Sequence, residues 1–132
     1  MVFVDSSFWI AATYRRDQRH QEAIRLFEQW SNQELITSNH VVGETWTFLR
    51  RRADHSTSLR FLDSIQRSPR VRTRRITEEL EAEAWRWLRR HDERPYSFVD
   101  ATSFALMRIL GVRNALAFDG DFAAAGFREL RT

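Results

Sequence analysis

Val2-Phe3-Val4-Asp5-Ser6-Ser7 is the stretch from which the fold is read. Three apolar residues, β-branched and aromatic, suit a fully buried strand. The run stops at an acid and two serines, residue types whose side chains accept from the free amides of a helix start. A buried strand that feeds straight into a helix opens a β-α unit. The spacing predicts that helix over about residues 8–14.

The same grammar continues outward. A second helix, about residues 18–30, places Ala23, Ile24, Phe27 and Trp30 on one face. Leu35-Ile36-Thr37 suits a short strand. Ser38 or Asn39 can cap the next helix, whose apolar stripe is Val41, Val42, Trp46, Phe48 and Leu49. A helix over about residues 56–66 must end before Pro69. From Val71 to Ile76, apolar or small residues alternate with arginine, a weaker strand signal. Thr77 can cap a helix through Arg90 with Leu80, Ala84, Trp87 and Leu88 inward. Ser97-Phe98-Val99-Asp100 has capping-box form and opens a helix that Gly111 ends. Asn114 to Phe118 suits a strand, broken by Asp119-Gly120-Asp121, and Phe127 to Leu130 an edge strand. Strands alternating with helices give an α/β fold with a mainly parallel sheet covered on both faces. In such sheets ligands bind at the carboxyl ends of the strands.

Composition narrows the chemistry. The chain has 132 residues and no cysteine, with 21 basic side chains against 18 acidic ones and a net charge of +3. All the basic residues are arginine. The missing lysine excludes Schiff bases, the phosphate-binding P-loop and aspartyl-phosphate sites. The missing cysteine excludes disulfides, thiolate metal sites and thiol nucleophiles. The length suits one domain over residues 1–132, and a hydrophobic content of 42% is too high for disorder. A net +3 permits a polyanionic partner without requiring one. No apolar run approaches the ~20 residues of a membrane span. The start has no basic segment and meets Asp5 at once, so it is not a secretory signal, and a cytoplasmic location is expected.

The carboxylates carry the functional signal. Asp5 follows the first strand; Asp119 and Asp121 follow the Asn114–Phe118 strand. Both groups fall at the ligand-binding edge of the expected sheet. Asp100 lies in the first turn of one helix, and Glu44 in the first turns of another, flanked by Val41 and Phe48. Each acid also has an ordinary role: a cap for Asp5, a capping box for Asp100, turn acids for Asp119 and Asp121, a solvated helix residue for Glu44. Their joint placement by one topology favours a site. Five converging carboxylates repel one another, which calls for a cation. Hard oxygen ligands without cysteine suit Mg²⁺ or Mn²⁺ rather than Zn²⁺.

Arg50, Arg51 and Arg52 follow the Glu44 helix and are the preferred phosphate contacts, since a guanidinium grips phosphate in a bidentate fork. Arg72, Arg74 and Arg75, and Arg86, Arg89 and Arg90, are further candidates, with solvated helix faces as the alternative for the last group. None of the four histidines has a partner at close helical spacing, so an acid–base histidine pair is disfavoured. Of the five tryptophans, Trp46 and Trp87 fit buried stripes; any of the five could instead stack on bases.

Val-Asp5-Ser-Ser, Val-Val-Gly-Glu44-Thr-Trp, Ser-Phe-Val-Asp100-Ala-Thr and Ala-Phe-Asp119-Gly-Asp121-Phe occur in this order over nearly the whole chain. In this the chain resembles the PIN-domain ribonucleases and, among them, the VapC toxins of toxin–antitoxin pairs. The resemblance implies a three-layer α/β/α domain with about 4–5 strands. It implies a Mg²⁺- or Mn²⁺-dependent endoribonuclease that hydrolyses phosphodiester bonds and leaves 5′-phosphate ends. Asp5, Glu44 and Asp100 match the first three motif acids, and either Asp119 or Asp121 the fourth. Asp5 and Asp100 are the preferred direct ligands. Glu44 and Asp119 would hold a second ion or orient water, with Asp121 in support. A VapB-like antitoxin, seated in an apolar groove among the first helices, and homodimerisation are implied likewise. One departure is Ala117, where many relatives carry a threonine whose hydroxyl orients the pocket. Two other readings are a PIN-type nuclease of RNA processing without an antitoxin and a non-catalytic RNA-binding module. Asp119-Gly-Asp121 after a strand also suggests a phosphoacceptor domain, which the missing lysine rules out.

Overall fold

The computed structural model describes all of residues 1–132. The elements run β1 (Val2–Val4), α1 (Ser6–Thr13), α2 (His20–Gln29), β2 (Leu35–Ser38), α3 (Asn39–Arg52) and α4 (His55–Arg67). They continue with β3 (Val71–Arg74), α5 (Glu78–Arg90), α6 (Phe98–Leu110), β4 (Asn114–Leu116), α7 (Asp121–Ala124) and β5 (Arg128–Glu129). The five strands are all parallel, in the order β3-β2-β1-β4-β5. Val2 pairs with Leu35 on one side and Asn114 on the other, so the opening stretch forms the centre of the sheet. A central parallel strand is covered on both faces, which is why it is a continuous apolar run and does not alternate. The edge strand β3 is exposed and carries Arg72 and Arg74, charges that discourage pairing with another sheet edge.

Aromatic side chains join the layers. On one side Trp9 of α1 meets Phe27 of α2 and Phe61 of α4, at 6.5 and 6.0 Å between ring centres. On the other, Phe104 of α6 lies 4.9 Å from Phe122, 5.2 Å from Trp87 and 5.5 Å from Phe127. Phe122 in turn stacks on Phe3 of β1 at 5.9 Å. Each such fully buried phenylalanine contributes roughly 1.5–3 kcal/mol by its removal from water.

The departures from expectation have local causes. α1 starts at Ser6 because Asp5 caps it. α2 starts at His20 because Asp17 Oδ1 accepts from the Arg19 amide and holds a turn before the helix. Its buried residues are Ala23 and Leu26; Ile24 faces solvent. β4 stops at Leu116 because the next amides leave the ladder: the Phe118 N–H donates to Ser7 Oγ. Gly120, at φ 82°, turns the chain into the short α7, where only a turn was expected. Only Arg128 and Glu129 join the sheet as β5. Trp87 is buried, Trp46 is half-buried, and Trp85 is 54% exposed and stacked on Phe98. The clefts among the first helices are lined mainly by polar and charged residues. A more apolar groove lies between α5 and α6, along Leu80, Leu106 and Ile109. No helix is long and apolar enough to cross a membrane.

Candidate active site

Asp5 leaves the carboxyl end of β1 and caps α1. Its Oδ2 accepts from the Ser7 amide at 3.1 Å and from Ser7 Oγ at 2.8 Å. Its Oδ1 is buried and has no hydrogen-bond partner. The capping role and the site role are therefore compatible, since each uses a different oxygen. The same division recurs at Asp100. Its Oδ2 accepts from the Ser97 amide at 3.0 Å, completing the capping box of α6, and its other oxygen accepts no bond. Asp119 Oδ1 accepts from the Asp121 amide at 3.1 Å. Asp121 Oδ1 accepts from Arg94 Nε at 2.9 Å.

Oxygens of Asp100, Asp119 and Asp121 all lie within 4.8 Å of one another. Asp5 is close enough that the charges of Asp119 and Asp100 act on it. Burial, then Asp119, push the Asp5 carboxyl up to about 8 against an ordinary 3.8, while Ser7 opposes the shift. Burial pushes Asp100 up to about 6, with Asp119 and Asp121 adding to it. Asp119 is raised as well, first by loss of water around its carboxyl and then by Asp121. These carboxylates hold their charge only at a cost. The buried, unpartnered Asp5 Oδ1 beside three oxygen donors fits a hard divalent cation in kind, and would replace the proton that burial favours.

The structure brings four of the five expected acids into this group and leaves Glu44 at its flank. Glu44 is exposed on α3 and joins the site through Ser6, whose hydroxyl donates to its Oε1. It lines a groove of about 760 Å³ with His40, Phe48, Val99, Arg51 and Arg52. Arg51 and Arg52 thus share a groove with Glu44, whereas Arg50 lines no part of that groove and acts on Asp54 instead. Arg72 pairs with Glu34 and Arg86 with Glu83, both exposed pairs. No histidine belongs to the acidic group.

Two contributors escaped the sequence reading. Arg94, in the loop before α6, donates through Nε and Nη2 to one Asp121 oxygen and reaches the Asp119 carbonyl at 3.4 Å. One loop arginine among 21 carries no signal that would single it out. Ser7 lies within the Val-Asp5-Ser-Ser stretch. Its hydroxyl ties Asp5 to the Phe118 amide, so it fixes the two strand ends that carry Asp5 and Asp119. Ala117, where many relatives carry a threonine, is fully buried and brings no hydroxyl to this strand end.

A model of the PIN domain family matches residues 2–128. The chain is 54% identical over 133 aligned residues to the 23S rRNA-specific endonuclease VapC20 from two strains of Mycobacterium tuberculosis, covering 99% of this chain and 98% of that protein. The crystal structure of Mycobacterium tuberculosis VapC20, described as a Sarcin-Ricin loop cleaving toxin, superposes with a TM-score of 0.92 at 52% identity over the full length of both chains. The chain belongs to the PIN-domain family and is a nuclease of the VapC toxin type.

Proposed function

We propose that this PIN-domain nuclease, a single domain over residues 1–132, cleaves 23S ribosomal RNA within the sarcin–ricin loop, using Mg²⁺ or Mn²⁺. The substrate is that of the relative named VapC20, at 54% identity over nearly the whole of both chains. The observation that carries the cation is the buried Asp5 Oδ1 without a partner beside three clustered carboxylates. Asp5 and Asp100 would hold the ion, with Asp119 and Asp121 completing the donor set. A divalent cation bound there supplies a more acidic water and offsets the charge that develops on the phosphate.

The chain's own residues do the positioning. Ser7 and Ser97 each fix one oxygen of their aspartate and leave the other for the ion. Arg94 fixes Asp121 and offsets one of the four charges. Glu44, exposed at the flank of the cluster, is free to take a proton from an attacking water or to hold a second ion. Water attack needs no nucleophilic side chain and leaves 5′-phosphate and 3′-hydroxyl ends. A VapB-like antitoxin and a second copy of the chain are the expected protein partners. The exposed Ile109 and the α5–α6 groove offer apolar surface for either.

The test is mapping of ribosomal RNA 5′ ends after brief expression of the wild type beside Asp5→Asn. A single new end within the sarcin–ricin loop, absent in the variant and suppressed by a chelator in purified reactions, is expected. Cuts elsewhere, or cuts that persist in the variant, refute the assignment.

A further inference from the structure

A cleft of about 500 Å³ opens between the end of α1 and the α3–α4 turn. Its lining brings Arg15, Arg16, Arg52 and Arg60 together with Asp54, so four guanidiniums face one carboxylate. Asp54 Oδ1 accepts from the Thr57 amide at 2.7 Å and caps α4, and the charge of Arg60 also acts on this carboxylate, so one negative charge serves the group. Elsewhere Arg19, Arg72, Arg86, Arg94 and Arg131 each pair with an acid, whereas none of these four does. Four like charges against one counter-charge still repel, and an incoming polyanion would relieve that repulsion.

We infer that this cleft is a second phosphate-binding site, which holds the RNA backbone away from the scissile bond. The inference rests on the RNA-cleaving reading above. Arg52 lines both this cleft and the groove that contains Glu44, so basic surface runs from Glu44, at the flank of the acidic site, to this cleft. α1 starts at the Asp5 cap and ends beside the cleft; its eight residues span about 12 Å at 1.5 Å per residue. That distance is several phosphates along a stacked strand, at roughly 3.4 Å of axial rise each. Protein interfaces have an apolar centre; here only Tyr14 and Ala53 relieve a polar lining, which favours phosphate over a peptide. A site so placed selects for folded or extended RNA over a short fragment that spans only the cut.

The triple variant Arg15→Gln/Arg16→Gln/Arg60→Gln tests this in an Asp5→Asn background, where RNA is bound without depending on cleavage. Binding of a sarcin–ricin-loop hairpin with flanking stem is measured from low to high salt. The dependence of log affinity on log salt should flatten by about 2–3, at ~0.7–0.9 for each of three lost phosphate contacts. The matching triple lysine variant should restore it, because that slope counts charge. With Asp5 intact, the glutamine triple should cut the long hairpin several-fold more slowly and a short fragment at the wild-type rate. An unchanged slope, a loss that lysine does not restore, or equal slowing on both substrates overturns the inference. So does loss of binding to an acidic protein partner with RNA binding intact. Absence of cleavage in the wild type would instead refute the nuclease reading, and the slope would still decide the cleft.

Discussion

The acidic pocket and the arginine cleft each gather four like charges, and they solve the same repulsion in opposite ways. The pocket is partly closed: Asp5 is 1% exposed, and its carboxyl is pushed up to about 8. With little water to screen them, four carboxylates are tolerable only with protons or a cation. The cleft is open, all four arginines are exposed, and water screens them. Burial therefore suits one cluster to a tightly held cation, whereas exposure suits the other to a looser, salt-sensitive contact. Arg94 is the exception that clarifies both, the one guanidinium hydrogen-bonded within the acidic group.

The widest test of this contrast is loss of the buried charges. Asp5→Asn and Asp100→Asn should each reduce cleavage more than about 100-fold, since even partners that only orient metal ligands are worth 10–100-fold. Gel-based cleavage with circular dichroism as the folding control checks it; activity retained in both would remove the pocket from the chemistry.

Next is competition between proton and cation. The raised carboxyls of Asp5, about 8, and Asp100, about 6, must lose protons to bind an ion. Apparent Mn²⁺ affinity by calorimetry should fall as pH drops from 8 to 6, by up to about tenfold per unit. A flat profile would contradict the buried geometry of Asp5.

Glu44→Gln probes the boundary between pocket and solvent. Glu44 is exposed and stands apart from the clustered aspartates, so the change should lower kcat by only roughly 3–10-fold and leave Mn²⁺ affinity nearly unaltered. A loss as deep as that of Asp5→Asn would move Glu44 into the cluster.

The smallest effect is on stability. A carboxyl raised when folded binds more protons folded than unfolded between pH about 4 and about 8, so stability without metal falls as pH rises through that window. In chelator at pH 8, Asp5→Asn should therefore melt roughly 3–5 °C above the wild type, and the gap should close near pH 4. A variant less stable at pH 8 would mean that Asp5 acts chiefly as the cap of α1.

Much of the molecule was legible in the chain because its signals are local. The buried run at Val2, the Ser97–Asp100 capping box and Gly111 each determine their own neighbourhood, and the alternation of strand and helix limits the topology to a parallel sheet. Those rules also placed Asp5 and Asp119 at one edge. Where signals were weak, the reading slipped. Ile24 satisfies a helical period but faces solvent, because burial is decided by which neighbours arrive. α7 is one helical turn made possible by Gly120, too short to show a period.

By itself, then, the sequence determined the order of the strands and main helices, the sheet edge that carries the acids, and, through its want of lysine and cysteine, the exclusion of lysine- and thiol-based chemistry. Tertiary structure alone decided which acids meet. Asp100, Asp119 and Asp121 converge while Glu44 stays outside, Arg94 arrives from a loop to hold Asp121, and Arg15, Arg16, Arg52 and Arg60 share a cleft. The reason is physical: charge–charge and desolvation energies depend on distances and burial across the fold, which no local pattern encodes.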